Sequence, residues 1–291
     1  MILNQTQYYH NIQALDKLGF CTLTVFDSSE IEQLKTLYQN NFGSQDVKNL
    51  YATHNSNPIE QSLQVSNQIQ NMVSNKLLNV FPEYTYFTGH FMVKAANANH
   101  EFALHQDWNI VDESKYKSYQ IWIPLLHTYP ANGGMFVVPG SHKFFNNYRS
   151  GSFDIPRIPF VPQFKPIVTD LRVPTGDILI YQNALFHGSY GNTTNDNRVV
   201  VIANFVEKHA PTFYFHKSAT QGLAELYPIT GETLIRNLPQ LEKGGLPASF
   251  TSVGTLPVGS LNNAAINADD VVINYNKFVS DLNLKTTPLA P

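Results

Sequence analysis

The chain has 291 residues, room for one large domain or two small ones, and its 43% hydrophobic and 12% aromatic content excludes a disordered polypeptide. Nineteen Lys and Arg against 22 Asp and Glu leave a net charge of −3, which gives nucleic acid no electrostatic hold, and the single Cys21 excludes a disulfide framework or a multi-cysteine zinc site. No basic segment with an apolar stretch opens the chain and no run approaches the roughly 18 apolar residues of a membrane span, so a soluble, cytoplasmic protein without membrane or nucleic-acid partners is expected.

Helix signals crowd the first eighty or so residues. After a β-rich run, Phe20 to Phe26, the sequence Ser29-Glu30-Ile31-Glu32 reads as a capping box, and Ile31, Leu34, Leu37 and Tyr38 then share one helical face. A second helix is expected from about Glu60 to Val80, with Leu63, Ile69, Val73, Leu77 and Val80 on its apolar side and Pro58 and Pro82 at its ends. From Tyr84 the texture changes to short aromatic and β-branched runs broken by Gly, Pro and Asn. The runs 84–94, 102–110, 119–126, 135–138, 167–173, 177–181, 198–206 and 212–216 are read as strands, and about eight strands with a helical flank predict a jelly roll. The stretch from Gly140 to Pro166 is too long for a hairpin loop and is a candidate lid or substrate loop. Beyond His216 the pattern fades until 270–284, which reads as one amphipathic helix using Val271, Tyr275, Phe278, Val279 and Leu282.

The triplet His105-Gln106-Asp107 sits inside the strand-like run 102–110, and residues two apart on a strand project from the same face, so imidazole and carboxylate are expected to converge. A third ligand is available in His187, just after the run 177–181. Two His and one carboxylate form the facial triad of non-haem Fe(II) oxygenases, with open positions for cosubstrate and oxygen. Arg198 opens the strand that follows, and its planar fork suits one end of a dicarboxylate, with Ser189 able to add a hydroxyl. The bland alternative is a surface Arg198 paired with Asp196 or Glu207. His142 follows the turn Pro139-Gly140-Ser141 and is given a structural role. Of the others, His10, His54, His90, His100, His127, His209 and His216 have no spacing partner and are read as surface or core residues, and Cys21 as a small buried hydrophobe.

His105-Gln106-Asp107, the stretch from Asn132-Gly133-Gly134 through Pro139-Gly140-Ser141-His142-Lys143, His187-Gly188-Ser189 and the run Asn192 to Arg198 together resemble the phytanoyl-CoA dioxygenase family of Fe(II)/2-oxoglutarate-dependent oxygenases. The resemblance implies a mainly β fold with flanking helices, the double-stranded β-helix (jelly roll, cupin-like). It also implies Fe(2+) held by His105, Asp107 and His187, with 2-oxoglutarate and O2 as cosubstrates and Arg198, Ser189, Lys94 and Trp122 around the 2-oxoglutarate. The implied reaction is hydroxylation of an unactivated C–H bond of a small organic metabolite (an amino acid derivative, natural-product intermediate or acyl compound) with release of succinate and CO2. Asp107 fills the position that related halogenases leave open for halide, so chlorination is not expected. Trp108 and Tyr119 are candidates for the substrate wall. Residues 1–291 are then one oxygenase domain, with 1–83 a helical flank, 84–216 the jelly-roll core and 217–291 an extension of unassigned role. The competing readings are a cupin-like metal protein that makes no use of 2-oxoglutarate, a non-catalytic binding module and a protein hydroxylase; neither substrate identity nor oligomeric state is set by the sequence.

Overall fold

The computed structural model describes residues 5–56, 58–258 and 266–282. Helix α1 (Gln5–Leu18) leads into strand β1 (Phe20–Thr24), which is followed by α2 (Ser28–Phe42), β2 (Leu50–Ala52), the one-turn α3 (Thr53–Ser56) and α4 (Ile59–Val80). The strands β3 (Tyr84–Lys94), β4 (Phe102–His105), β5 (Ser118–Pro124), β6 (Met135–Val137), β7 (Thr169–Asp170), β8 (Asp177–Gln182), β9 (His187–Ser189) and β10 (Arg198–Glu207) make up the centre. After them come β11 (Phe213–Lys217), β12 (Leu223–Pro228), α5 (Gly231–Leu241), β13 (Thr255–Pro257) and α6 (Ala268–Asp281). The expected last helix is thus found up to Asp281, and its residues 283 and 284 lie outside the described residues.

Two local expectations are corrected. The cap of α2 is Asp27, not Ser29: its carboxylate accepts the Glu30 amide at 3.0 Å while Glu30 accepts the Asp27 amide at 2.9 Å, and a carboxylate there also faces the positive end of the helix. Strand β1 stops at Thr24 because the amides of Val25 and Phe26 both turn to the carbonyl of Gly176, at 3.1 and 3.0 Å.

The strands form two facing antiparallel sheets, β1-β8-β5-β10-β3-β2 and β4-β9-β6-β7, with β11-β12-β13 as a separate ribbon. This is the mainly β jelly-roll arrangement with flanking helices; among the described residues no strand pair joins the two sheets, so they do not close into a barrel. The stretch 1–83 is therefore more than a helical flank, since β1 and β2 supply both edges of the larger sheet.

Side-chain alternation on the larger sheet decides what each face does. On β10, Val199, Val201, Ala203 and Phe205 pack with Ile121 and Ile123 of β5 and the apolar stripes of α2 and α4, whereas Val200 and Ile202 face Met135 and Val137 of the smaller sheet. The second face carries the polar residues too: Arg198 and Asn204 on β10, Gln120 on β5, His90 and Lys94 on β3. Buried β-branched and aromatic side chains on the helix-covered face, at about 1.5–3 kcal/mol each, stabilise the sheet that presents those groups.

Candidate active site

His105 ends β4 and His187 begins β9, and the two residues are register partners across an antiparallel pair. Asp107 is not on a strand: β4 stops at His105, and the carboxylate reaches the site from the loop beyond, where the Asp107 amide donates to the carbonyl of Asn183 at 2.9 Å. The convergence expected from strand alternation thus comes from a strand end and a pinned loop. One Asp107 oxygen lies 3.6 Å from His105 Nε2 and the other 3.7 Å from His187 Nε2. These separations exceed a hydrogen bond and suit donors that each reach about 2.1 Å to a shared ion. The three donor atoms lie within 4.8 Å of one another.

Both imidazoles are fixed by their own strands. His105 Nδ1 is 2.8 Å from the carbonyl of Ala103 and His187 Nδ1 is 2.9 Å from that of Leu185. A carbonyl only accepts, so each Nδ1 carries a proton, and each ring turns its Nε2 toward Asp107. Burial pushes His187 down to about 4, with His105 adding to the fall, so that ring is neutral at physiological pH. Burial raises Asp107, but the imidazoles and the Arg149 guanidinium outweigh it and hold the carboxylate below its usual range. Tyr181, buried beside the Asp107 carboxylate, is pushed well above the ordinary phenol range.

The turn that carries Ser141 braces this centre from behind. Ser141 Oγ accepts the amide of Phe186 at 2.8 Å, and the Phe186 carbonyl accepts from Val138 at 2.9 Å, which sets β9 just ahead of His187. His142 has a supporting place in the same turn, its Nε2 lying 3.2 Å from the carbonyl of Asp16. Arg149, fully buried, lies under the Asp107 loop.

A cationic end lies on the opposing sheet. Arg198 is 1% exposed and stands opposite Lys94 in register, its guanidinium 5.5 Å from the Trp122 ring centre. Neither cation forms an ion pair with a described acidic side chain, Asp196 and Glu207 included, and Arg198 Nε has no hydrogen-bond partner. Burial lowers Arg198 to about 10, still charged at neutral pH, and burial together with Arg198 lowers Lys94 to about 7. Lys94 Nζ donates to Ser189 Oγ at 2.8 Å and to the carbonyl of Tyr190. A buried, unpaired guanidinium is costly unless an anion joins it.

One cavity of about 260 Å³ holds the triad, Arg198, Ser189 and Trp122 in its lining. Trp108 lines it as well, with its ring edge-on to Tyr214 at 5.8 Å. Tyr119 does not: it alternates with Gln120 and Ser118, points to the helix-covered face and packs on Tyr84 at 5.0 Å. From the stretch 140–166, Ile155 and Arg157 line the cavity, while Phe145, Phe153 and Phe164 are buried beneath.

Several lining groups were missed by sequence reasoning. His54 and His90, read as surface or core residues, are in ring contact at 3.7 Å on the cavity wall, and burial makes both neutral, bringing His54 to about 4. Gln120 and Asn204 gave no signal beyond being polar residues in apolar strands, and α5, with Pro239 inside it, supplies Leu234, Ile235 and Leu238 to the same wall.

The sequence matches the family model described as phytanoyl-CoA dioxygenase over residues 30–200. No curated protein matches the chain. Among solved structures it is similar to the epimerase SnoN in complex with Fe3+, alpha-ketoglutarate and nogalamycin RO, at 14% identity and a TM-score of 0.57 over 72% of this chain and 87% of that one. A second SnoN structure, described as a non-heme alpha-ketoglutarate-dependent epimerase from nogalamycin biosynthesis, gives 14% identity and a TM-score of 0.55 over 72% and 84%. HygX from Streptomyces hygroscopicus with nickel and 2-oxoglutarate bound is 16% identical, with a TM-score of 0.49 over 71% and 88%. At such identities the SnoN likeness concerns the fold.

Proposed function

The chain belongs to the phytanoyl-CoA dioxygenase family, and from that premise we propose that it is an Fe(II)- and 2-oxoglutarate-dependent dioxygenase that hydroxylates a C–H bond of a small organic molecule. The observation that carries this reading is a two-His, one-carboxylate donor set sharing a cavity with a buried guanidinium that no described acidic group neutralises.

His105, Asp107 and His187 would hold the metal through two Nε2 lone pairs and one carboxylate. Iron bound there, with 2-oxoglutarate and O2, supplies the oxidising power, the cosubstrate leaving as succinate and CO2. Arg198 would grip the distal carboxylate of 2-oxoglutarate in its planar fork, with Ser189 adding a hydroxyl and Lys94 a second positive charge. Trp122 walls that end, its ring centre 5.5 Å from the guanidinium carbon. The apolar walls, Trp108 among them, exclude water and orient the target C–H bond. Asp107, as a third protein ligand, favours hydroxylation over halogenation. We read residues 1–291 as one domain, because α5 in the extension walls the same cavity as the central strands.

The test is an anaerobic titration of the full chain with Fe(II) and 2-oxoglutarate, following the visible metal-to-ligand charge-transfer band. The band is expected in the wild type, absent in His187→Ala, and shifted to much higher 2-oxoglutarate in Arg198→Ala. Iron binding with no band at any 2-oxoglutarate concentration would replace this reading with the cupin-like one. Succinate release coupled to a product one oxygen heavier then identifies hydroxylation.

A further inference from the structure

Beyond the metal the cavity floor carries a row of polar side chains that the proposed chemistry does not use. Strand register sets Asn204 of β10 directly opposite Gln120 of β5 and Thr88 of β3, and Gln120 opposite Tyr181 of β8. His90 stands one step along the same face, opposite Ile202. Tyr181 at one end of the row lies beside Asp107, so the row begins at the metal centre rather than at the cationic end. Gln120 Oε1, Asn204 Oδ1 and His90 Nε2 are buried without a hydrogen-bond partner, and Asn204 is only 8% exposed.

Buried polar atoms left unpaired cost about 1–3 kcal/mol each, so three on one wall of one cavity mark where a ligand completes the bonding. Two are carboxamide oxygens, which accept, and an imidazole nitrogen pairs with a hydroxyl in either role. No carboxylate belongs to the row itself; in the wider lining the carboxylates are Asp107 of the triad and Glu242. Among the described lining residues, the charges outside the triad and Arg198 are Arg157 and Glu242, of opposite sign; burial raises the Glu242 carboxyl, and Asn55 and Arg157 offset only part of that. A clustered set of cations, which the phosphates of a CoA thioester require, is absent from that lining. Leu234, Ile235 and Leu238 of α5 add an apolar surface to the lining of the same cavity, and Trp108 and Phe87 add aromatic faces.

We propose that the substrate is a neutral, hydroxyl-bearing small molecule of the sugar or cyclitol kind, its hydroxyls held by Gln120, Asn204 and His90 and its C–H faces covered by α5. This rests on the oxygenase reading for the chemistry, but the binding claim stands on the row itself.

The experiment is saturation-transfer NMR on the full chain with diamagnetic Zn(II) and 2-oxoglutarate present, using myo-inositol, methyl β-D-glucoside, maltose, L-leucine, L-proline and butyryl-CoA as probes. Zn(II)-dependent binding of 2-oxoglutarate is measured on the same samples. At least one of the three neutral polyols is expected to receive saturation, weakened tenfold or more in Gln120→Leu and in Asn204→Leu, while the amino acids and the thioester receive none. Circular dichroism checks the fold of both variants, and Asn204→Asp, nearly isosteric with one donor exchanged, serves as the second probe of the same position. Binding of leucine, proline or butyryl-CoA in preference to the polyols overturns the proposal, as does polyol binding unchanged in the variants or absent altogether. Polyol binding without 2-oxoglutarate binding leaves this proposal standing and removes the oxygenase reading.

Discussion

Arg149 Nε donates to the backbone carbonyl of Asp107 at 2.7 Å, so a fully buried guanidinium holds the loop that carries the candidate carboxylate ligand. The rest of its fork is also committed: one nitrogen meets both Glu113 oxygens at 2.7 Å and the other meets the carbonyl of Asn147 at 2.9 Å. Arg149→Met strands a half-buried carboxylate and two carbonyls, a loss of about 3–5 kcal/mol expected for breaking a buried pair. Metal affinity should fall by roughly 10–100-fold, as when a residue orienting a ligand is removed. Urea unfolding and a Co(II) absorption titration measure the two effects, and Arg149→Lys, which keeps the charge but not the fork, should recover only part of either.

On the proposed function, Lys94 gives the cosubstrate pocket a pH dependence whose sign follows from its shift. Burial, then the Arg198 charge, lowers Lys94 to about 7, so the free protein loses this cation as pH rises through 7. A dicarboxylate prefers the protonated form, and above pH 7 its binding must take up a proton. Affinity for 2-oxoglutarate should therefore fall with pH, by at most about tenfold per unit. Equilibrium dialysis at pH 6.5, 7.5 and 8.5 reads the slope, and Lys94→Met should flatten it.

Gly133 has a φ of +82°, and a Cβ built there would stand 2.7 Å from Lys94 Cδ. Gly133→Ala pays about 1–2 kcal/mol for the left-handed backbone and also displaces the lysine stem. Weaker 2-oxoglutarate binding with unchanged Co(II) affinity is the expected pair of results; loss of both would mean that the turn also supports the triad.

Asp27 caps α2 on the far side of the larger sheet from the cavity. Asp27→Ala should cost about 1 kcal/mol in urea unfolding and leave Co(II) and 2-oxoglutarate binding alone. A change in either binding constant would show that the helix layer is coupled to the site through the sheet.

The candidate donor triplet was legible because the chemistry there uses rare residue types, and β3, β5, β8 and β10 because their apolar runs are long, whereas β9 gave no strand signal and the run 167–173 is a strand only at Thr169–Asp170. The β-run 20–26 was legible as a strand, but not as the edge of a sheet in which Phe20 pairs with Tyr181 and Thr24 with Asp177, since pairing at that range leaves no local trace. Asp107 was identified as a ligand for a reason the structure does not support, because an extended run says nothing of where hydrogen bonding stops. Arg149, Gln120 and Asn204 were silent for another cause: a buried polar residue has the same letter as an exposed one, and only its surroundings give it a task. Tyr119 failed by one position, which on a strand is the difference between two faces.

Strand β10 runs from the guanidinium of Arg198 to the carboxamide of Asn204, about 20 Å of backbone at the usual rise per residue. Its intervening inward side chains, Val200 and Ile202, are plain aliphatic spacers. With 2-oxoglutarate at Arg198 and the substrate at Asn204, as proposed, a lineage could rewrite the far end for a new molecule while the near end kept its oxidant supply, and a protein engineer could do the same, changing what is oxidised without re-solving how.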